Sequence, residues 1–510
     1  MRASAVFLVV SGLALVSPLP AQQRDPRLAA IDAYAAKARA EWNAPALAVA
    51  IVKDDSVVFA KGYGVLEKGS SKAADENTLF AIGSSTKAFT TAALAMLADS
   101  SRLAWDDGAA QYLPGWQLGD PWVTREITVR DLVAHRVGLD RADFIWGGTE
   151  FTREDILRRQ RYIGTNASFR LKFGYNNHMY LAAGTVIERL SGKSWDEFVR
   201  TRIFEPLGMR RSNTSTKAFG SDPNVATPHA RIGDTAVVIP WHNIDNIAPA
   251  GSINSSAREM AEWVRLQLGN GTWRGRQLIS AKNMNEMHSP QTVIPLEQWF
   301  ATLSPVNHQM VPGTHFFLYG LGWFMQNYKG KKAVHHGGSI DGMRALVGML
   351  PEERLGVVVL TNLNPSSVDE GIMFRVFDEY LGGEKRDWSK DMLEQFRAAV
   401  RRGEEATRTA QSQRVANTRP SLALAQYAGT YADSAYGEAK VEEDYGKLVI
   451  RIGRSTGDLE HWHYDTFRIT WRNPARSTAL ATFQLDRRGT ASGLSLPGFP
   501  PLSRRQASTP

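Results

Sequence analysis

The 510-residue sequence predicts an α+β fold, an antiparallel sheet flanked by helices, followed by a small C-terminal all-β, barrel-like domain. Three observations support this prediction. β-rich runs lie at both ends of the region before Gly382, and helical patterns fill its middle. Near Gly382 the composition changes to charged, helix-forming residues with few bulky apolar ones. Beyond Tyr427, short apolar runs alternate with Gly, Asp and Asn turns, which is typical of a small β domain.

The first elements are predicted to be a helix and a hairpin. Ile31, Ala35 and neighbouring apolar residues recur at helical spacing and predict a helix over 25–42. Two β-rich runs, 46–53 and 56–63, surround a pair of aspartates and therefore predict a β-hairpin.

The middle of the region is predicted to be helical, and its end returns to strands. Amphipathic patterns predict helices over 84–97, 177–191 and 256–268, and a glycine follows each of the last two. Runs 345–350 and 355–361, separated by a proline-containing turn, predict two strands. Pairing of these late strands with the early hairpin gives one antiparallel sheet with helices packed on it.

These patterns divide the chain into four predicted segments. We expect a signal peptide over 1–21 and the α+β domain over 25–383. Residues 384–420 are charged and helix-forming, so we interpret them as a helical linker. The β-barrel-like domain is expected over 421–510, where 447–452 is one of several short β-rich runs.

The N-terminal residues have the pattern of a secretory signal. Arg2 supplies a positive start, 5–16 an apolar run too short to span a bilayer comfortably, and 18–21 a plausible cleavage region. Cleavage predicts a secreted or periplasmic protein; an uncleaved membrane anchor is the alternative. No later run is apolar and long enough to predict a stable membrane span.

Composition excludes several classes of function. The formal charge of +8 is small for 510 residues, and no run of five or more Lys and Arg occurs, so we expect no nucleic-acid partner. Cysteine is absent, which excludes disulfides, thiolate zinc sites and a cysteine nucleophile. We expect a small-molecule or peptide substrate, and the oligomeric state is left open.

Ser84 and Lys87 form the only S-x-x-K motif in the chain. At this spacing on a helix both side chains lie on the same face, one turn apart. A serine hydroxyl needs a base within hydrogen-bond reach, and a lysine serves if burial lowers its pKa. The alternative is a helix-capping serine beside a solvated lysine.

Tyr175 and Asn177 form the only Y-x-N motif, between a glycine and a predicted helix. A tyrosine hydroxyl next to a lysine amine can exchange protons with it, and the Asn177 amide can orient Lys87 or bind a substrate amide. The alternative is a loop tyrosine packed on the core beside a helix-capping asparagine.

A histidine pair and two glycines precede Ser339 and provide a third candidate site. A strand that carries a substrate along its edge needs a small residue such as Gly338. The Ser339 backbone N–H could then join that of Ser84 as a second oxyanion donor. His335 and His336 both satisfy an H-x-G pattern; a metal-binding pair or a simple glycine turn are the alternatives. Adjacent strand residues point to opposite faces, which disfavours a shared metal.

In their order and approximate separations, these motifs resemble the serine β-lactamase and penicillin-binding-protein superfamily, particularly its class C and D-Ala-D-Ala carboxypeptidase branch. The resemblance covers roughly residues 28–382 and extends to four surrounding segments: 80–90, 127–139, 249–255 and 319–323. The region after Tyr427 resembles a small β-barrel-like module found C-terminal to some members.

The resemblance implies a role for each candidate residue. Ser84 matches the acylated serine, Lys87 and Tyr175 its activators, and Asn177 a substrate-orienting group. The glycine-flanked motif aligns best with His336 first, followed by Gly337, Gly338 and Ser339. The resemblance implies substrate contacts at His336 and Gly338 and backbone oxyanion donors at Ser84 and Ser339. It implies no metal or organic cofactor.

One departure from the family pattern bears on function. Dedicated β-lactamases usually carry lysine where His336 stands, and histidine is only partly charged near neutrality. Histidine also occurs in family peptidases and esterases. We therefore expect an exported serine hydrolase that cleaves an amide or ester bond. A β-lactamase or D-Ala-D-Ala carboxypeptidase is one alternative, and a cell-wall peptide or penicillin sensor without turnover is the other.

Overall fold

The computed structural model of the protein describes residues 25–296, 313–474 and 476–505. The predicted signal peptide, residues 1–21, lies outside the described residues and stays a prediction. No helix in these three stretches has both the length and the apolar character needed to cross a bilayer.

Within the described residues, the first domain is built on an eight-stranded antiparallel sheet. In chain order its strands are β1 (Ala46–Lys53), β2 (Ser56–Gly64), β3 (Thr292–Ile294), β4 (Phe317–Tyr319), β5 (Phe324–Tyr328), β6 (Lys331–Ile340), β7 (Met343–Leu350) and β8 (Leu355–Thr361). Their spatial order is β2-β1-β8-β7-β6-β5-β4-β3. The early hairpin thus pairs with the late strands, with Val49 opposite Val359. The predicted antiparallel sheet is confirmed.

Strands β1 and β8, the second and third in the sheet, are covered on both faces, which explains their continuously apolar sequences. Successive β1 residues point to opposite sides of the sheet. Ala48 and Ala50 pack in the core on one side, whereas Val49 and Ile51 pack in the core on the other. Every β8 residue is buried. Either face would lose packing if a polar residue entered these strands.

Helices supply the two layers that cover the sheet. The longer ones are α1 (Pro26–Glu41), α2 (Lys87–Asp99), α3 (Pro121–Glu126), α4 (Arg153–Arg159), α5 (His178–Ser191), α6 (Ala257–Leu268), α7 (Ala281–Met287), α8 (Val368–Leu381) and α9 (Trp388–Ser412). Shorter helices lie at Val129–Val133, Trp195–Val199, Glu205–Leu207, Ala248–Gly251 and Leu424–Tyr427. Helices α1, α8 and α9 share one core with the sheet, and α2, α5 and α6 share the other. This arrangement is the predicted α+β class.

The segment predicted as a helical linker has two different halves. In the first half of α9, Trp388, Met392 and Phe396 are buried, and the Phe396 ring centroid lies 5.7 Å from that of Trp42. Residues 401–412 are exposed on all sides. The first half of the helix is therefore part of the α+β core, and only the second half extends away from it.

The C-terminal domain is a closed antiparallel barrel. Its strands are β9 (Gly429–Asp433), β10 (Gly437–Asp444), β11 (Lys447–Ile452), β12 (Ser455–His463), β13 (Thr466–Trp471), β14 (Ala479–Leu485), β15 (Ala491–Ser495) and β16 (Leu502–Arg504). The first and last strands pair, with Tyr431 opposite Arg504, and this contact closes the barrel. Tyr431, Ile450 and Phe467 belong to its apolar interior. The predicted small β-barrel domain is confirmed.

The barrel docks against loops of the first domain. The Arg159 guanidinium donates to the Ser434 carbonyl oxygen at 2.7 Å, and the Arg454 backbone N–H donates to the Gly148 carbonyl oxygen at 2.7 Å. Ala435 is buried and packs in the core of the first domain. These contacts join the barrel to the end of α4 and to the loop that begins after Arg141.

Candidate active site

Ser84 lies where a short strand turns into a helix. The strand Phe80–Ala81 is followed by Gly83, whose φ of +49° is favourable for glycine, and by a 3₁₀ turn over Gly83–Thr86. Helix α2 begins at Lys87, three residues later than predicted. The serine therefore lies in the tight turn before the helix, and the lysine in the first turn of the helix itself.

The Lys87 side chain is fully buried, with 0 % of its surface exposed, and points at Ser84. Its Nζ lies 3.0 Å from Ser84 Oγ, 2.7 Å from Asn177 Oδ1 and 2.8 Å from the Ala250 carbonyl oxygen. Burial holds the pKa of Lys87 well below its usual value, against the opposing effect of the Asp143 carboxylate. The amine is therefore biased toward the neutral form that accepts a proton.

Tyr175 lies next to both Ser84 and Lys87. The centroid of its ring lies 4.8 Å from Lys87 Nζ, and its hydroxyl is close enough to Ser84 for the serine to influence its pKa. Burial raises the pKa of Tyr175, and the hydrogen-bonding interaction with Ser84 offsets part of that rise. The phenol is accordingly protonated at neutral pH and can act as a proton donor.

Asn177 is held by a carboxylate behind it. Asn177 Nδ2 donates to Asp143 Oδ1 at 2.8 Å. Because a carboxylate only accepts, this bond fixes the amide with its own oxygen, Asn177 Oδ1, facing Lys87. Burial raises the pKa of Asp143, but the charge and hydrogen bond of Arg141 and the Asn177 amide outweigh it, so the pKa is lowered. Trp146 Nε1 also donates to Asp143. Both polar atoms of Asn177 are thus used inside the protein.

The backbone nitrogens of Ser84 and Ser339 lie where the nucleophile segment crosses β6, and two glycines allow this close crossing. A Cβ at Gly338 would lie 1.8 Å from the Ile82 carbonyl oxygen and 2.9 Å from the Ser84 nitrogen. A Cβ at Gly83 would lie 2.7 Å from the Ser339 nitrogen. The nucleophile segment and β6 therefore touch at the predicted pair of oxyanion donors, and any side chain at Gly338 would separate them.

His336, not His335, faces this cluster. His336 is only 1 % exposed, and burial, with the Lys87 charge, lowers its pKa to about 3, so its ring is neutral. Nδ1 lies 2.6 Å from the Gly337 carbonyl oxygen, which can only accept, so Nδ1 carries the proton. Nε2 then accepts from the Tyr319 hydroxyl at 3.2 Å. Both ring nitrogens of His336 therefore have partners within the protein, and the ring lies beside those of Tyr175 and Tyr319.

Two protein-family models match this chain. A family model described as Beta-lactamase matches residues 31–378, which is more than half of the chain. The chain belongs to the beta-lactamase family. A second model, described as a domain of unknown function (DUF3471), matches residues 413–507 of this beta-lactamase-family protein and includes its barrel.

A sequence relative and two solved structures match most of this beta-lactamase-family chain. The unguisins hydrolase ungD of Aspergillus violaceofuscus is 28 % identical over 441 residues, covering 80 % of this chain and 75 % of that protein. The octameric penicillin-binding protein homologue from Pyrococcus abyssi is 23 % identical, with 92 % and 97 % of the two chains covered and a TM-score of 0.60. The D-amino acid amidase from Ochrobactrum anthropi SV3 is 20 % identical, with 70 % and 98 % covered and a TM-score of 0.58. The predicted superfamily is confirmed, and the protein is a serine hydrolase of the amide and ester type.

The structure adds residues of this beta-lactamase-family site that the sequence did not indicate. Asp143 and Arg141 lie in a loop whose folding no local pattern predicts. Asp143 is connected to the site because it accepts a hydrogen bond from Asn177, and Arg141 is connected because it donates to Asp143. His135 accepts the Asn176 backbone N–H at Nδ1, and its ring centroid lies 4.2 Å from that of Tyr175. The described part of the chain contains no group of three side chains suited to metal binding.

Proposed function

We propose that the protein hydrolyses an amide or ester bond through an acyl-enzyme formed on Ser84. The observation that carries this proposal is the set of three partners around Lys87 Nζ. A neutral amine has two N–H groups and one lone pair. Asn177 Oδ1 and the Ala250 carbonyl oxygen only accept, so they take the two N–H groups. The lone pair then faces the Ser84 hydroxyl, as a general base requires.

Acylation follows from this arrangement. Ser84 Oγ attacks the substrate carbonyl carbon while its proton passes to Lys87 Nζ. The carbonyl oxygen becomes an oxyanion, which the backbone N–H groups of Ser84 and Ser339 stabilise. The Tyr175 hydroxyl gives its proton to the leaving amine or alkoxide as the carbonyl–heteroatom bond breaks, and Lys87 returns a proton to Tyr175. The product is an ester on Ser84.

Deacylation uses the same groups in reverse order. Water loses a proton to the Tyr175 and Lys87 pair as its oxygen attacks the acyl carbon. The second oxyanion forms in the same pair of N–H groups. Ser84 Oγ leaves and regains a proton from Lys87, which releases a carboxylic acid and restores the enzyme. No cofactor enters this cycle.

The substrate class we propose is a small amide, ester or peptide. Two proteins similar to this chain are named an unguisins hydrolase and a D-amino acid amidase, which supports amide hydrolysis. The neutral His336 leaves this position without the fixed cation that favours β-lactam carboxylates, which supports an amidase or esterase over an antibiotic hydrolase.

Covalent labelling tests the assignment of the nucleophile. A fluorophosphonate probe should label the wild-type protein, and Ser84→Ala should remove the label completely. Ser100→Ala, at the far end of the same helix, is the matched control and should label like the wild type. Equal labelling of the Ser84 variant would reject the proposal. Turnover of D- and L-amino-acid amides, short acyl esters and nitrocefin then ranks amidase, esterase and β-lactamase activities.

Export is the second part of the proposal. The signal pattern of residues 1–21 supports it, together with the first described helix, which starts at Pro26 after its Asp25 cap. N-terminal sequencing of protein recovered from the periplasm or medium should give a start between residues 22 and 26. Recovery of the chain from the cytoplasm with its first residues intact would reject export.

A further inference from the structure

A cavity of about 260 Å³ lies between the barrel and the loop that follows Arg141. Phe144 and Gly147 contribute from the first domain, and Trp471, Leu496 and Phe499 contribute from the barrel. The rings of Phe144 and Phe499 stack with their centroids 4.6 Å apart. An apolar cavity of roughly 150 Å³ already holds a benzene ring, so this one has room for a phenyl or branched alkyl group.

One cation lines this apolar cavity. Arg476 is half-buried, its Cζ lies 5.4 Å from the centroid of the Trp471 ring, and its guanidinium passes against Gly148. Among residues 25–296, 313–474 and 476–505, no oxygen accepts a hydrogen bond from this guanidinium. Burial lowers the pKa of Arg476, although the nearby Asp341 charge opposes the effect. A guanidinium stays charged in such a setting, so it favours a carboxylate that comes with the ligand.

Two of the residues that line the cavity are connected to parts of the active site. Phe144 directly follows Asp143, the carboxylate that receives the Asn177 amide. Asp341, whose pKa is lowered by His242 and more weakly by Arg476, lies two residues beyond Ser339. The cavity lining therefore includes the residue that follows Asp143, and its cation lies within charge range of Asp341, near the end of β6.

We propose that this cavity is a substrate subsite which takes an apolar side chain attached to a carboxylate. Arg476 binds the carboxylate by a charge-assisted hydrogen bond, and the ring of the side chain fills the space beside Phe144 and Phe499. The barrel thereby selects apolar acids, such as the C-terminal residue of a peptide or its depsipeptide analogue. The inference rests on the proposed function of Ser84, which is tested separately by labelling.

Inhibition by a minimal product tests the subsite. With 4-nitrophenyl acetate as the reporter substrate, both enantiomers of 3-phenyllactate and of 3-phenyllactamide are compared as inhibitors. The acid should compete with the reporter in the wild type, and Arg476→Gln should raise its inhibition constant by about tenfold or more. The neutral amide should bind equally weakly to both proteins. Arg472→Gln, an exposed arginine paired with Asp458 at 2.8 Å, is the matched control and should leave the constant unchanged.

The other outcomes overturn the proposal in distinct ways. Recognition by Arg476 would be rejected if neither enantiomer of the acid inhibits the enzyme. It would also be rejected if the acid inhibits the wild type and Arg476→Gln equally. Inhibition that is not competitive would place the ligand at an effector site rather than a substrate subsite. Failure of fluorophosphonate labelling at Ser84 would instead reject the proposed function, and intact labelling with unchanged inhibition would reject only the subsite.

Discussion

Lys87 Nζ lies 3.0 Å from Ser84 Oγ, with Ser84 in the 3₁₀ turn that follows a short strand and Lys87 at the first residue of helix α2. The sequence spacing alone brings these side chains to one face. Burial of the amine makes the contact chemically useful, because desolvation lowers the pKa of Lys87.

Replacing Lys87 tests the general base. Lys87→Met keeps the length and apolar stem of the side chain but removes the lone pair, so kcat/KM for an activated ester should fall by about 10²- to 10⁴-fold. Lys332→Met, which removes a lysine that donates to the His288 carbonyl oxygen, is the control and should retain activity. A Lys87 variant with more than half of the wild-type kcat/KM would contradict the assignment.

The same substitution has a signature in stability. The folded-state pKa of Lys87 is below its unfolded value of 10.5, so between the two values the unfolded chain binds more protons. The free energy of unfolding of the wild type therefore increases as pH rises through that window. Below the folded-state pKa, Lys87 is charged in the folded protein, and the full cost of burying that charge lowers the stability. Lys87→Met removes this dependence, so its stability relative to the wild type should be greater at pH 6 than at pH 9. A pH-independent difference would contradict a depressed pKa.

Asp143 affects the pKa of Lys87 through its charge, although the Asn177 amide lies between the two side chains. Its negative charge opposes the effect of burial on Lys87 and raises the pKa of the amine. Asp143→Asn keeps an oxygen for Asn177 and removes the charge, so the pKa of Lys87 should fall further. The acid limb of the kcat/KM profile, where activity rises as Lys87 loses its proton, should therefore move to lower pH. Asp140→Asn, three residues earlier, should leave the limb in place; a shift to higher pH in the Asp143 variant would refute this link.

Much of the site could be predicted because its motifs are local. Ser84 and Lys87 are one helical turn apart, and Tyr175 and Asn177 lie directly before α5, so short patterns mark them. Asp143 could not be predicted in this way. Its role comes from a single hydrogen bond that it accepts from Asn177 across the fold, and its own neighbours in sequence form only one 3₁₀ turn, Asp143–Ile145.

The fold could be predicted where apolar residues form continuous runs, and less well where they form a narrow stripe along a charged helix. The continuous apolar runs of β1 and β8 indicate strands covered on both faces, and these strands pair as expected. In α9 the buried residues form a thin stripe, Trp388, Met392 and Phe396, at spacings of four among many charges. The average composition of that segment indicates a linker, whereas the stripe indicates a docked helix.

The two glycines of β6 differ in what surrounds them, and this difference tests the oxyanion site. At Gly338 a Cβ would meet the Ile82 carbonyl oxygen at 1.8 Å, whereas at Gly337 its nearest contact would be at 3.7 Å. Gly338→Ala should push β6 away from Ser84 and lower kcat by about 10²- to 10³-fold, the cost of losing one oxyanion donor. Gly337→Ala should keep at least a third of the wild-type kcat. Similar rates for the two variants would show that the Ser339 N–H does not act on the reaction.

Phe396 tests where the α+β domain ends. Its ring packs against Trp42, and the Arg231 guanidinium carbon lies 5.3 Å from its centroid, so the side chain is enclosed by the first domain. Phe396→Ala should lower the free energy of unfolding of that domain by about 3 kcal/mol, the usual cost of such a cavity. Val400 lies one turn further along α9 and is 36 % exposed, so Val400→Ala should change stability by less than about 0.5 kcal/mol. Denaturant unfolding followed by tryptophan fluorescence measures both variants. Equal, small effects would mean that the whole helix is a linker and that the core of the domain ends before Trp388.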